Sequence, residues 1–143
     1  MSDVPRHPEP PAPITGIETL LGTYQVELRL GPHAIVADEP VEVGGQGSGP
    51  SPFDLLCGAL CACTSMTLRM YANRKGWPLE RVLVSVAHHR DVEAQRDVFD
   101  RRITLQGSLD EIQTQKLLDI AQRCPVHRAL SENSLVLTAL DAA

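Results

Sequence analysis

Three of the chain's four cysteines lie within one apolar run, LLCGALCACTSM, at residues 55–66. On a helix each residue advances by about 100°, so Cys57 and Cys61 share a face and Cys63 lies roughly opposite. The three thiols therefore cannot converge on one metal ion from a continuous helix. Free cysteines in such surroundings behave as small buried hydrophobes, and we favour this interpretation for Cys57 and Cys61.

Cys63 and Cys124 have surroundings that favour reactivity. Polar residues follow Cys63 in the run TSMT. Cys124 directly precedes Pro125, which suits the first position of a new helix, and the unpaired amides at a helix N-terminus favour a thiolate. The residues alone leave open whether the two thiols form a redox pair or whether Cys124 and His127 join other cysteines at a zinc ion, which the absence of a CxxC pair disfavours.

A long helix is predicted to position the first three cysteines. Ser51 suits its N-cap, Pro52 its first position and Asp54 its positive end. The pattern predicts a helix over residues 52–75, about 36 Å long. Residues 55–68 carry no charge on any face, and a helix that is apolar all round is buried all round. Because so short a chain can hardly cover it, we predict that a second subunit does.

The remaining segments alternate in hydrophobicity as strands do. A GPH turn joins the first two into a hairpin, and a capping-box pattern at Ser108 starts a second helix. A short helix is possible from Pro125, and the order is β-β-α-β-β-α-β, an α+β fold rather than a wound parallel sheet. The predicted strands cover residues 23–30, 34–40, 81–89, 97–107 and 134–140.

Two further segments are loops or tails. The glycine-rich stretch GGQGSGPSP at residues 44–52 lacks the Gly-Lys-Ser/Thr of a phosphate-binding loop, so we expect it to approach the following helix closely. Residues 1–13 contain five prolines, which predicts a flexible tail. Residues 14–143 are then expected to form a single domain.

Composition excludes several classes of protein. The net charge is −5 with both signs interspersed, which argues against a nucleic-acid partner. The N-terminus lacks the apolar segment of a signal peptide. The uncharged stretch at residues 55–68 is shorter than the roughly 18 residues that span a bilayer, so we predict a cytoplasmic protein with no membrane contact.

Four motifs resemble those of the OsmC/Ohr family, whose members include osmotically inducible protein C and the organic hydroperoxide resistance proteins. They are DEP at 38–40, GGQGSGPSPFDLL at 44–56, ACTSMTLRMYANRKGWPL at 62–79 and CPVHRAL at 124–130. The motifs occur in the family's order and cover nearly everything after the tail. The resemblance implies an intertwined homodimer, with long central helices packed against antiparallel-rich sheets built from both chains.

The resemblance also implies a cysteine-based peroxidase, in which Cys63 aligns with the attacking cysteine and Cys124 with the resolving one. Attack on an organic hydroperoxide would release an alcohol and leave a sulfenic acid on Cys63, and Cys124 would convert this to a disulfide. An external thiol or dithiol, such as a lipoyl-type dithiol, would then reduce the disulfide. This chemistry needs no metal ion and no cofactor, but it requires Cys63 to ionise readily and to lie within bonding range of Cys124.

The sequence departs from the family at the groups that activate the attacking cysteine. Peroxidase members use an arginine from an early loop and a glutamate in the first turn of the long helix. Here Phe53 stands at the glutamate position with Asp54 after it, and Arg29, in a strand pattern, is the nearest candidate for the arginine. Arg69 lies too far round the helix from Cys63 to serve. An alternative function is therefore a non-catalytic dimer that acts as a redox sensor or binds a metal or hydrophobic ligand.

Overall fold

The computed structural model of the protein describes residues 11–143. This part of the chain contains α-helices and antiparallel sheets, which confirms the α+β class. It divides into two compact units, of which the first ends at Asp54 and the second covers Leu55–Ala143. Of the predicted proline-rich tail, residues 1–10 lie outside the described part, and residues 11–13 are exposed without regular structure.

The first unit contains a three-stranded antiparallel sheet in the order β1-β2-β3. Strand β2 (Val26–Leu30) and strand β3 (His33–Ala37) form the predicted hairpin. Gly31 in the turn has φ 59°, a left-handed conformation that glycine adopts without strain. Strand β1 (Thr15–Glu18) was not predicted, because four residues are too few to show the alternation of a strand.

The glycine-rich loop folds back onto its own hairpin. Asp38 is buried at the end of β3 and accepts hydrogen bonds from the amides of Glu39, Gln46 and Ser48, and from the Ser48 hydroxyl at 2.7 Å. A Cβ on Gly45 would lie 1.8 Å from the Glu39 carbonyl oxygen. The close approach that we expected to the following helix is therefore made to the backbone after β3 instead.

Acidification should loosen this loop when Asp38 becomes protonated. The hydrogen bond from Ser48 is the largest effect on this carboxyl, and with the backbone amides it outweighs burial and lowers the pKa of Asp38. A carboxylate with a lowered pKa contributes stability that is complete above its unfolded pKa of about 3.9 and is lost as the pH falls through the folded value. Denaturant unfolding between about pH 6 and about pH 3 should show a steeper acid loss of stability in the wild type than in Asp38→Asn. Equal slopes would contradict this role.

Helix α1 (Pro52–Lys75) has the predicted boundaries. The Ser51 hydroxyl accepts from the Asp54 amide at 3.2 Å, and the Asp54 carboxylate accepts from the Ser51 amide at 3.0 Å. This reciprocal pair is typical of a capping box. Gly76, with φ 65°, ends the helix in the left-handed conformation common after a C-terminus.

The second unit packs a hairpin and two shorter helices with α1. Strands β4 (Leu79–Asp91) and β5 (Arg96–Gly107) pair antiparallel. Helix α2 (Glu111–Ala121) begins after the predicted Ser108, because Asp110 and Gln113 form the capping box, and α3 (Pro125–Ser131) follows. The core joins α1, β4 and α2 through Leu68, Ala72, Leu79, Leu117, Ile120 and Ala121.

Within residues 11–143, only one face of α1 is buried. We expected a helix buried on all sides, and one chain alone does not bury it so. On another face Met66 and Met70 are 62% and 61% exposed. The helix is also long and apolar enough to cross a membrane by length and composition alone, a test that core helices pass as well. The buried face consists of Leu60, Thr64, Leu68 and Ala72, at helical spacing.

The predicted strand at 134–140 is absent from the described chain. Leu137 is 84% exposed and Leu140 is 98% exposed. A strand needs a neighbour to satisfy its backbone groups, and neither described sheet pairs with this segment. The segment therefore has a strand's apolar sequence without a strand's hydrogen bonds.

Candidate active site

The structure brings Cys63 and Cys124 together. Cys63 lies on α1 and Cys124 immediately precedes α3, and the two thiols are close enough for each to shift the pKa of the other. Both are free thiols. Within residues 11–143 no three histidine, cysteine or acidic side chains converge as metal ligands would. The two segments therefore meet as a pair of reduced thiols.

Cys124 is buried in the turn between α2 and α3. The Cys124 amide donates to the Ala121 carbonyl at 3.3 Å, and the Cys124 carbonyl accepts from the Arg128 amide at 3.1 Å. Pro125 stands at the first helical position, where an N–H would have no helical partner. Cys124 is 0% exposed, whereas Cys63 is half-buried. Cys63 is therefore the sulfur of the pair that a molecule from solvent can reach within this chain.

Cys124 ionises more readily than an ordinary cysteine. Burial raises its pKa, but hydrogen bonds from Cys63, from the amides of His127 and Val126 and from Thr64 outweigh burial and lower the pKa. The Cys124 side chain does not make a regular N-cap hydrogen bond, yet the amides at the start of α3 stabilise its negative charge as helix N-termini stabilise anions.

Cys63 does not ionise readily in the surroundings that its own unit provides. Burial raises the pKa of the Cys63 thiol, and the hydrogen bond to Cys124 raises it further, whereas the Val126 amide and Thr67 lower it by less. None of these groups is a cation. In this chain the directions of the two pKa shifts favour Cys124 as the more readily ionised thiol, and ready ionisation of Cys63 stays a prediction.

Arg101 lies beside the pair and was missed by the sequence analysis. Its Nη1 donates to Thr64 Oγ1 at 3.0 Å and to the Ala121 carbonyl at 3.2 Å, and its Nη2 lies 3.2 Å from His127 Nδ1. Because arginine can only donate, Nδ1 accepts and the ring proton lies on Nε2. Burial and the charge of Arg101 lower the pKa of His127 against the opposing effect of Glu132, which favours the neutral ring.

The sequence of β5 contained a signal that Arg101 lies on the half-buried face of the strand. In DVFDRRITLQG, alternate residues share one face of β5, and that face is half-buried. A charged side chain on an apolar strand face is rare unless it is paired. That face carries Phe99, Arg101, Ile103 and Leu105.

The other charged residues considered in the sequence analysis make contacts that do not involve the two thiols. Arg29 belongs to the first unit, where it pairs with Glu27 at 2.8 Å and is 64% exposed. Asp54 caps α1, as described above. Arg69 donates to two backbone carbonyls at the start of β4. A part for Asp54 or Arg29 in the chemistry stays a prediction.

Comparison with known proteins gives a family and a fold. The family described as OsmC-like protein matches residues 45–139. Among curated proteins none matches this sequence.

Three solved structures illustrate the shared fold. An osmotic stress induced and detoxification response protein from Psychrobacter arcticus is 22% identical, covering 85% of this chain and 90% of that one, with a TM-score of 0.69. An OsmC-like protein from Mycoplasma pneumoniae is 18% identical over 85% and 88%, with a TM-score of 0.70. An organic hydroperoxide resistance protein from Legionella pneumophila is 23% identical over 84% and 88%, with a TM-score of 0.65.

Proposed function

Because the chain belongs to the OsmC-like protein family, we propose that it is a thiol-dependent peroxidase that reduces organic hydroperoxides at Cys63 and Cys124. Family membership confirms the resemblance drawn from the four motifs. The observation that best supports the proposal is that the two thiols lie close enough for each to shift the pKa of the other. The Legionella pneumophila protein of the same fold is named for organic hydroperoxide resistance.

The first step transfers one oxygen to Cys63. The Cys63 S–H faces Cys124, whose lowered pKa leaves it more often ionised than an ordinary thiol, so it can accept that proton as the sulfur attacks. The O–O bond breaks, the alkoxide takes up a proton and leaves as an alcohol, and Cys63 becomes a sulfenic acid.

The second step joins the two sulfurs. The Cys124 sulfur displaces hydroxide from the Cys63 sulfenic acid, and the hydroxide leaves as water after taking a proton. A disulfide forms without further oxidant. An external thiol or dithiol, for example a lipoyl-type dithiol, then returns two electrons and two protons by exchange.

A homodimer in the cytoplasm belongs to the same proposal. One chain leaves two apolar surfaces exposed to solvent. They are the side chains of Met66 and Met70 on α1 and the segment at 134–140. Large exposed apolar surfaces mark interaction sites, and a second copy offers the same surfaces to the first. All four cysteines are in the thiol form, which agrees with a reducing compartment.

A redox sensor is the second candidate function, because the raised pKa of Cys63 slows turnover without preventing disulfide formation with Cys124. A thiol that is rarely ionised reacts slowly, because the thiolate is the nucleophile. Such a protein would be oxidised once and would signal through its disulfide, without sustained turnover.

Steady-state peroxide consumption distinguishes the two functions. With a lipoyl-type dithiol present, we expect cumene hydroperoxide to be consumed continuously. Without the dithiol, consumption should stop after one equivalent per Cys63. A single equivalent in both conditions would favour the sensor. Unchanged thiols under excess peroxide would contradict both functions.

A further inference from the structure

Arg101 is a charged side chain that the two steps above do not use. It extends from β5 and reaches α1 at Thr64, the end of α2 at Ala121 and α3 at His127. We propose that Arg101 is a positioning residue for disulfide formation, which holds the Cys124 segment in place against α1. The inference rests on the proposed function, because disulfide formation is its second step.

The Arg101 guanidinium contacts one residue before Cys124 and one residue after it. Ala121 lies three residues before Cys124, and its carbonyl accepts both from Arg101 at 3.2 Å and from the Cys124 amide at 3.3 Å. His127 lies three residues after it and contacts the other terminal nitrogen of Arg101. Because the guanidinium is a rigid planar fork, it fixes both contacts at once. A displacement of Cys124 would strain or break them.

Thr64 connects Arg101 to the sulfur itself. Its side chain is 0% exposed, it follows Cys63 in the sequence, and its oxygen accepts from Arg101 at 3.0 Å. Its own hydrogen remains for Cys124, and this hydrogen bond favours the thiolate. A donor to a hydroxyl strengthens the bond that the hydroxyl gives. Arg101 therefore acts on Cys124 through Thr64 as well as through the backbone.

The disulfide step depends closely on position. The Cys124 sulfur must move from a hydrogen-bond contact to a bond of about 2.05 Å with Cys63. Misplacement of a reacting group by about 1 Å can cost about a hundredfold in rate. The attack on peroxide takes place at Cys63, which Arg101 does not contact in the described chain. The two steps should therefore respond differently to the loss of Arg101.

Single-turnover kinetics with cumene hydroperoxide separate these steps. In Arg101→Gln we expect disulfide formation to be about tenfold slower and sulfenic acid formation, which needs only a proton transfer to Cys124, to slow by less, with the sulfenic acid trapped by dimedone. Arg101→Lys keeps the charge without the fork and should recover part of the rate. Arg102→Gln is the matched control, since Arg102 is 80% exposed on the other face of β5 and pairs with Asp100.

Two further measurements exclude a purely structural effect. Thr64→Val removes only the hydroxyl and should also slow disulfide formation, and the double variant with Arg101→Gln should lose less than the product of the two single effects. The pKa of His127, followed by NMR in the folded protein, should rise in Arg101→Gln because a nearby positive charge is gone.

Two results would overturn the inference in distinguishable ways. If disulfide formation keeps its wild-type rate in both Arg101→Gln and Thr64→Val, Arg101 does not position Cys124, and the proposed function survives. If the wild type forms neither sulfenic acid nor disulfide, the proposed function fails, and the inference fails with it. Should Arg101→Gln not fold, Thr64→Val alone decides the matter.

Discussion

Cys63→Ser should lower the rate of cumene hydroperoxide reduction by about a thousandfold or more. A serine hydroxyl is a much weaker nucleophile than a thiol and forms no sulfenic acid, so no disulfide can follow. The substitution keeps a hydrogen-bond donor beside Cys124, and the fold should change little. Peroxide consumption with excess dithiol measures the effect.

Two matched variants sharpen this result. Cys61→Ser changes a half-buried thiol of the same helix and should leave turnover within about twofold, because that face is assigned to packing. Cys124→Ser should still allow Cys63 to be oxidised, but the sulfenic acid should persist and react with dimedone. Equal loss of activity in Cys61→Ser and Cys63→Ser would contradict the assignment of Cys63 as the attacking thiol.

Met66→Asp should convert a homodimer to monomers. The Met66 side chain is 62% exposed on one chain, and the proposed partner would bury it. An unpaired buried charge costs roughly 3–5 kcal/mol, which raises the dissociation constant by a factor of about 100 to about 4,000 for each charge. Light scattering during size-exclusion chromatography, over a dilution series, measures the change in mass.

The control for this substitution lies on another helix. Ile112 on α2 is 81% exposed, so Ile112→Asp makes the same kind of change outside the proposed interface and should leave the dimer intact. Dissociation by Ile112→Asp with no effect of Met66→Asp would place the interface on α2. A wild type that is monomeric at every concentration would contradict the dimer itself.

Local signals in the sequence were sufficient for the helix that positions the site. Ser51, Asp54 and Gly76 each act through contacts with near neighbours, so their types alone located both ends of α1. The hairpin of β2 and β3 was found by the same kind of reasoning, because alternation and a turn are local. The strand predicted at 134–140 could not be decided by local signals. A strand forms only where another strand pairs with it, and neither described sheet pairs with this segment.

The environment of the thiols could not be predicted in the same way. The family resemblance paired Cys63 with Cys124, but no local pattern shows that three segments distant in sequence meet, which contribute Thr64, Arg101, and Cys124 with His127. The direction of the two cysteine pKa shifts depends on how many donors each sulfur receives, which is a tertiary property. Sequence reasoning therefore named the two candidate thiols and missed Arg101 beside them.

Mapping of the oxidised thiols most directly tests the claim that Cys63 and Cys124 form one redox couple. The reduced protein is treated with one equivalent of cumene hydroperoxide, the remaining thiols are alkylated, and the peptides are identified by mass spectrometry. The account predicts a peptide pair joined through Cys63 and Cys124, with Cys57 and Cys61 alkylated. An alkylated Cys63 with the oxidation located on other cysteines would contradict it.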